Sequence, residues 1–211
     1  GDAGDAVAAA ADRPDRRLEA EIDAAARRQI GDVRDAPVAG DGPGVFNRLL
    51  WATPDGGLRY YDKRHLFRMA GEHERYAAGR ERITVDLLGW RVCPLVCYDL
   101  RFPELYRSMG KVDIIFAPAA FTATTGRAHW ETLIRARAIE NLAYVVAPAQ
   151  TGHHLNGRET HGDSMIVDPW GVVLDRLPSG SGVVIADINP EYQASLRNSL
   201  PALNHRTLHH C

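Results

Sequence analysis

Hydrophobic positions are sparse over the first 44 residues and dense after them, and the pattern changes character there. Residues 1–44 hold 12 Ala, 8 Asp and 6 Arg but only six of Val, Leu and Ile, too few to bury a core. Within this block Leu18, Ile22, Ala26 and Ile30 recur every four residues, which predicts a marginal surface helix between Pro14 and Gly31. From Val45 onward, short apolar runs alternate with turn residues. Residues 45–53 and 58–61 read as a hairpin across Pro54-Asp55-Gly56-Gly57, whose Pro presets φ and whose glycines accept positive φ. Residues 83–88 and 90–97 read as two strands across Gly89, the second nearly all apolar, as a strand covered on both faces should be. A short helix over 102–109, a strand over 112–117, a longer helix over 129–141 and a strand over 144–149 follow. Strands over 165–167 and 172–174 flank Asp168-Pro169-Trp170-Gly171, and a strand over 183–187 precedes a last helix over 190–200. This alternation implies right-handed βαβ units in a mixed sheet with helices outside, an α/β fold. The chain divides into an atypical polar segment, 1–44, and one domain, 45–211.

Composition narrows the function. With 211 residues, 45% hydrophobic and 25% charged, the chain buries a core. A net charge of −2, a pI of about 6.5 and no Lys/Arg run longer than two residues give no electrostatic basis for binding nucleic acid or a membrane surface. Small molecules are the expected partners. No apolar stretch approaches the roughly 18 residues of a membrane span. Three cysteines without a signal-peptide pattern argue against a disulfide scaffold and for the cytoplasm. The chain opens on Gly1 and not Met, which reads as a trimmed or partial sequence.

Two residues stand out chemically. Of 25 basic residues only Lys63 and Lys111 are Lys, so a Lys retained against an Arg bias invites a reason. Lys is a compact charge that can approach a reacting oxygen, whereas Arg spreads its charge over a planar fork. Lys63 follows a strand, where a side chain can enter a cleft; the alternative is a solvated surface cation. Cys97 ends an apolar strand that turns into a helix. A nucleophile there is exposed, and N–H groups at the helix start face the oxygen of a bound carbonyl, an arrangement suited to acyl transfer. The alternative is a buried structural thiol, which is the reading for Cys93; Cys211 has no visible role. His153-His154 and His209-His210 are adjacent pairs without metal-ligand spacing, so no metal site is expected. A papain-like Cys–His pairing has no local signature.

Four ordered motifs carry a resemblance. Tyr61-Asp62-Lys63-Arg64-His65-Leu66-Phe67, then Val96-Cys97-Tyr98-Asp99-Leu100-Arg101-Phe102-Pro103-Glu104, then Ala128-His129-Trp130 leading to Arg135-Ala136-Arg137-Ala138-Ile139-Glu140-Asn141, then Gly162-Asp163-Ser164 to Gly171, together resemble the nitrilase, or carbon-nitrogen hydrolase, superfamily. The resemblance implies an αββα sandwich, a homodimer formed through helices, and cofactor-free hydrolysis of non-peptide amides or nitriles by a Glu-Lys-Cys triad. Carried over by position, Cys97 is the nucleophile and Lys63 the triad lysine. The Tyr98 backbone N–H shares the oxyanion hole with Lys63. Glu72 matches an auxiliary glutamate, with Glu74 a nearby alternative; Phe121 and Thr122 line the pocket, and Glu140 is a structural charge partner. Residues 63–76 look most like bacterial omega-amidases, and 120–130 with 147–150 more like deaminated-glutathione amidases. Their shared chemistry is hydrolysis of an amide of an α-keto acid.

The sequence departs from that family in one respect. The family's general base is a Glu in a Leu-Pro-Glu-like strand end upstream of the lysine, and the only glutamates upstream of Lys63 are Glu19 and Glu21, in the polar block. The family's first strands and helix are missing as well. The Ala, Asp, Arg, Gly and Pro bias of residues 1–44 is that of GC-rich coding sequence read out of frame, an expectation that the other reading frames of the gene test. A catalytically inactive relative or fragment is therefore the alternative to an amidase.

Overall fold

The structure, a computed structural model, describes residues 44–53, 56–155 and 157–208 in full and the backbone of 6–10 and 32–39. The surface helix expected between Pro14 and Gly31 lies outside the described residues, as does Cys211.

Thirteen strands are described: β1 Ala6–Ala10, β2 Asp32–Ala39, β3 Val45–Ala52, β4 Leu58–Asp62, β5 Val85–Leu87, β6 Trp90–Pro94, β7 Ile114–Phe116, β8 Tyr144–Ala147, β9 Thr151–His153, β10 Glu159–His161, β11 Ser164–Val167, β12 Val173–Leu177 and β13 Val183–Asp187. The described α-helices are α1 Pro103–Ser108, α2 Ala123–Asn141 and α3 Pro190–Ser199. One six-stranded sheet runs β12-β11-β8-β7-β6-β5. Its centre, β6-β7-β8, is parallel, as helical crossovers require. A second sheet runs β2-β3-β4, β1 pairs antiparallel with β13, and β9-β10 form a hairpin that the apolar pattern does not announce.

Every residue of β7, β8 and β11 is buried, which fits their near-continuous apolar sequences. Leu49 and Trp51 of β3 face the six-stranded sheet, and Trp51 meets Phe116 of β7 edge to face at 6.3 Å. The two sheets therefore share one core. On the far side, α2 lies on β8 and β11 and touches α1. Its buried positions, Ala123, Gly126, Trp130, Ile134, Arg137, Ala138 and Asn141, fall three or four apart on one stripe. Helix, sheet and sheet are thus three layers of an αββα sandwich.

Local signals explain most of the turns. Leu88 and Gly89 join β5 to β6 as a two-residue loop with φ of 52° and 86°, the positive pair that matches strand twist. The helix expected over 129–141 begins earlier, at Ala123, because the Thr122 hydroxyl caps it by accepting the Thr125 N–H at 3.3 Å. Gly126 then lets this first turn lie against His161 of β10, where a Cβ would overlap the imidazole.

Candidate active site

The parallel strands end on one side of the sheet, and the segments after them build the site, as in open α/β sheets generally. β6 ends at Pro94, but its hydrogen bonding continues: Leu95 N–H donates to Phe116 O and Cys97 N–H to Pro118 O, both at 2.9 Å. Cys97 then opens a 3-10 turn, Cys97–Arg101, with φ of 49°. A left-handed backbone at a non-glycine residue costs about 1–3 kcal/mol and persists only where its surroundings over-determine it. Here the surroundings are a chain of anchors. Asp99 N–H donates to Val96 O, Phe102 N–H to Asp99 O, and Arg137 Nε of α2 to Leu100 O, at 3.0, 3.1 and 2.9 Å. Arg137 also pairs with Glu140 at 2.6 Å.

Lys63 follows β4 directly and is only 3% exposed, so it is not a solvated surface cation. Its ammonium donates to both oxygens of Glu72, at 2.9 and 2.7 Å. Glu72 lies in the 3-10 turn Glu72–Glu74 and also accepts the Phe67 N–H at 2.5 Å and Asn47 Nδ2 of β3 at 2.9 Å. Burial alone would lower the Lys63 pKa. The charge of Cys97, then that of Glu72 and its hydrogen bonds, outweighs burial and lifts the ammonium above its ordinary value. Burial would likewise raise Glu72, but Lys63, Phe67 and Asn47 hold its carboxyl below the usual carboxylate value. Lys63 and Glu72 thus form one buried ion pair. Glu74 is exposed, and Cys93 is fully buried with its thiol pKa pushed up by burial.

Aromatic rings surround the thiol turn. Tyr98 lies 4.9 Å from Phe67 and 5.3 Å from Phe102, ring to ring. Phe121 is buried against Trp130 at 5.0 Å. Thr122, beside it, spends its hydroxyl on capping α2.

Three side chains carry geometry that the motif spacing alone did not assign. Asp99 is wholly buried and accepts from Tyr61 Oη at 2.8 Å, His65 N at 3.0 Å, His65 Nδ1 at 2.7 Å and Val96 N at 3.2 Å. Arg101 holds its guanidinium 5.3 Å from the Phe121 ring centre and 5.8 Å from that of Tyr98. Its Nη2 donates to His129 Nδ1 at 3.1 Å, and among the described residues no carboxylate pairs with it. Asn47 steadies Glu72. Asp99 and Arg101 stand inside the cysteine motif, two and four residues past the thiol, and that proximity was the signal available.

The chain belongs to the carbon-nitrogen hydrolase family, whose sequence profile matches residues 10–198. A deaminated glutathione amidase of Synechocystis is 44% identical over 183 residues, 81% of this chain and 67% of the relative. Omega-amidase YafV of Yersinia enterocolitica is 43% identical over 162 residues, 76% of this chain and 63% of the relative. The corresponding Escherichia coli K12 protein is 46% identical over 131 residues, 62% of this chain and 51% of the relative. The chain thus spans about half to two thirds of the length of these curated relatives. The crystal structure of XC1258 from Xanthomonas campestris, a CN-hydrolase superfamily protein with an arsenic adduct in its active site, superposes with a TM-score of 0.87 at 40% identity, covering 95% of this chain and 78% of that one. The Caenorhabditis elegans NitFhit protein superposes with a TM-score of 0.81 at 38% identity, covering 90% of this chain and 50% of that one. The family and fold implied by the four motifs are those found. No described helix is long and apolar enough to cross a membrane.

Proposed function

We propose that this chain hydrolyses the C–N bond of a small carboxamide, an amide of an α-keto acid, through an acyl-enzyme on Cys97. The observation that carries the reading is Lys63, a buried ammonium gripped by Glu72 on a segment that Tyr61 and His65 tie to Asp99 of the Cys97 turn. An ammonium beside a thiol favours the thiolate, the form that attacks. The sulfur adds to the carbonyl carbon, and the C=O π pair moves to oxygen. Lys63 and the Tyr98 backbone N–H stabilise that oxyanion, together by several kcal/mol. Collapse restores the carbonyl and breaks the C–N bond; the nitrogen takes a proton from solvent and leaves as ammonia. Water then cleaves the thioester to the carboxylic acid and the thiol. Glu72, kept ionised, orients Lys63.

Arg101 supplies substrate selectivity in this reading. A guanidinium that no described carboxylate pairs with, next to Phe121 and four residues from the nucleophile, suits the carboxylate of an α-keto acid as a bidentate ligand. Thr122 and Phe121 form the adjoining wall. Residues 45–211 carry every side chain of the proposed site. The names of the relatives, deaminated glutathione amidase and omega-amidase, support the same substrate class. The protein works in the cytoplasm, where a buried and a partly exposed thiol remain reduced, and as a homodimer. Support for the dimer comes from the outer face of α2, where Ile139, Trp170 and Val172 are exposed apolar neighbours of the Gly171 turn.

Ammonia release from α-ketoglutaramate, with Cys97→Ala as control, tests the reading; release by Cys97→Ala at the unmodified rate would overturn it.

A further inference from the structure

The four donors that converge on Asp99 all come from residues beside the proposed amine and thiol. Tyr61 and His65 stand two residues before and two after Lys63, and Val96 immediately precedes Cys97. A carboxylate needed only to close the cysteine turn would require the Val96 N–H alone. Three of the four bonds cross instead to the Lys63 segment. The same turn adds a further cross-tie, Phe102 stacked on the His65 ring at 3.7 Å and 9°. Because a carboxylate only accepts, Nδ1 of His65 carries its proton toward Asp99.

We propose that Asp99 is a positioning residue of the reaction: its buried carboxylate ties the Lys63 segment to the Cys97 turn and so fixes the separation of amine and sulfur. This rests on the triad reading above. Burying a carboxylate is costly unless its oxygens are satisfied, and here each oxygen has two donors. The left-handed backbone of Cys97 gains its restraint from the same bonds. The Asp99 charge is also felt by Lys63, whose ammonium it favours, and by Cys93 on β6 and Tyr106 on α1, both buried and with pKa values raised chiefly by burial.

The test reads the thiol directly, on the full chain in a Cys211→Ser background. Iodoacetamide alkylation of Cys97 is followed by mass spectrometry of its peptide over a pH range of about 5 to 10. If Asp99 acts by placing Lys63, Asp99→Asn slows alkylation at neutral pH about tenfold. Lys63→Met slows it at least as much, and the double variant is no slower than Lys63→Met. The limiting rate at alkaline pH stays within about threefold of the parent, the rise a more basic thiolate gives when access to the sulfur is unchanged. Tyr61→Phe, which removes one hydroxyl and keeps the carboxylate, moves the rate in the same direction by a smaller factor, with the thermal transition retained. A purely electrostatic role has the opposite sign, since removing a negative charge favours the thiolate; faster alkylation in Asp99→Asn overturns the proposal. So do effects that multiply in the double variant, or an alkaline limit that rises well beyond about threefold because the turn has loosened. If Lys63→Met leaves alkylation unchanged at every pH, the triad reading itself fails.

Discussion

Lys63 performs two separable jobs, and two substitutions divide them. Its side chain is 4% exposed and that of Glu72 10%, so the pair is largely out of water. Lys63→Met removes the cation and leaves Glu72 with the Phe67 N–H and Asn47 as its remaining donors. Breaking a buried pair from one side costs about 3–5 kcal/mol, and these surviving donors place this case near 3. For a chain of this size that lowers the unfolding midpoint by roughly 6–12 °C. Lys63→Arg behaves differently. A guanidinium fork can satisfy both Glu72 oxygens, so the charge stays paired, and the cost is overpacking in a closed site, about 1–2 kcal/mol. A fork seated on Glu72, however, cannot also present a compact charge to the Cys97 sulfur and the oxyanion. Losing such a donor costs about 10²–10³ in kcat. The expectation is therefore collapsed ammonia release in both variants, with the midpoint lowered by roughly 2–8 °C in Lys63→Arg and by roughly 6–12 °C in Lys63→Met. Differential scanning calorimetry beside the α-ketoglutaramate assay measures the two together. Turnover within a factor of about ten of the parent in Lys63→Arg refutes the catalytic assignment, and an unshifted midpoint in Lys63→Met refutes the buried-pair argument.

Cys97→Gly should melt above Cys97→Ala by about 1 kcal/mol, because only glycine adopts the φ of 49° without strain; calorimetry giving the reverse order would show that the turn relaxes around alanine. Arg101→Gln should raise KM for α-keto acid amides at least tenfold while changing KM for an uncharged aliphatic amide less than threefold, magnitudes of order a charge-assisted hydrogen bond; equal effects on both would remove Arg101 from carboxylate recognition. Stability should also depend on pH at both ends. Glu72 has a folded pKa below its unfolded value, so its contribution is present above about pH 4.3 and is lost as the pH falls through the lower, folded value. Lys63 has a folded pKa above its unfolded one, so its contribution is complete below about pH 10.4 and fades as the pH rises through the higher, folded value. Urea midpoints should therefore be level between these limits, and Glu72→Gln should lose less than the parent on the acid side; an unchanged acid limb would contradict this.

Much of the architecture was legible along the chain because burial leaves a local trace. Strands β6, β7, β8 and β11, covered on both faces, wrote themselves as apolar runs, and the Leu88-Gly89 turn was marked by its glycine. The β9-β10 hairpin was not legible: its residues are partly exposed and polar, and its position depends on the Thr122 to Thr160 bridge and on contact with α2. The first turn of α2 was missed for a similar reason, since Thr124, Thr125 and Gly126 are weak helix formers that a cap and the packing of Gly126 on His161 hold in place.

The site divides along the same line. Lys63 and Cys97 could be singled out from residue type, from the bias against lysine and from their motifs, because the chemistry of an ammonium and a thiol belongs to the side chain wherever it lies. Of their partners, Glu72 had already been named by the resemblance, nine residues past Lys63. Asn47, sixteen residues from Lys63, and Asp99, thirty-four from the His65 that it grips, were decided by tertiary structure, because the sandwich brings their segments together. Burial acts in the same way: it turns an ordinary ion pair and an ordinary aspartate into groups whose every hydrogen bond counts, and burial is a property of the packed fold and not of any residue within it.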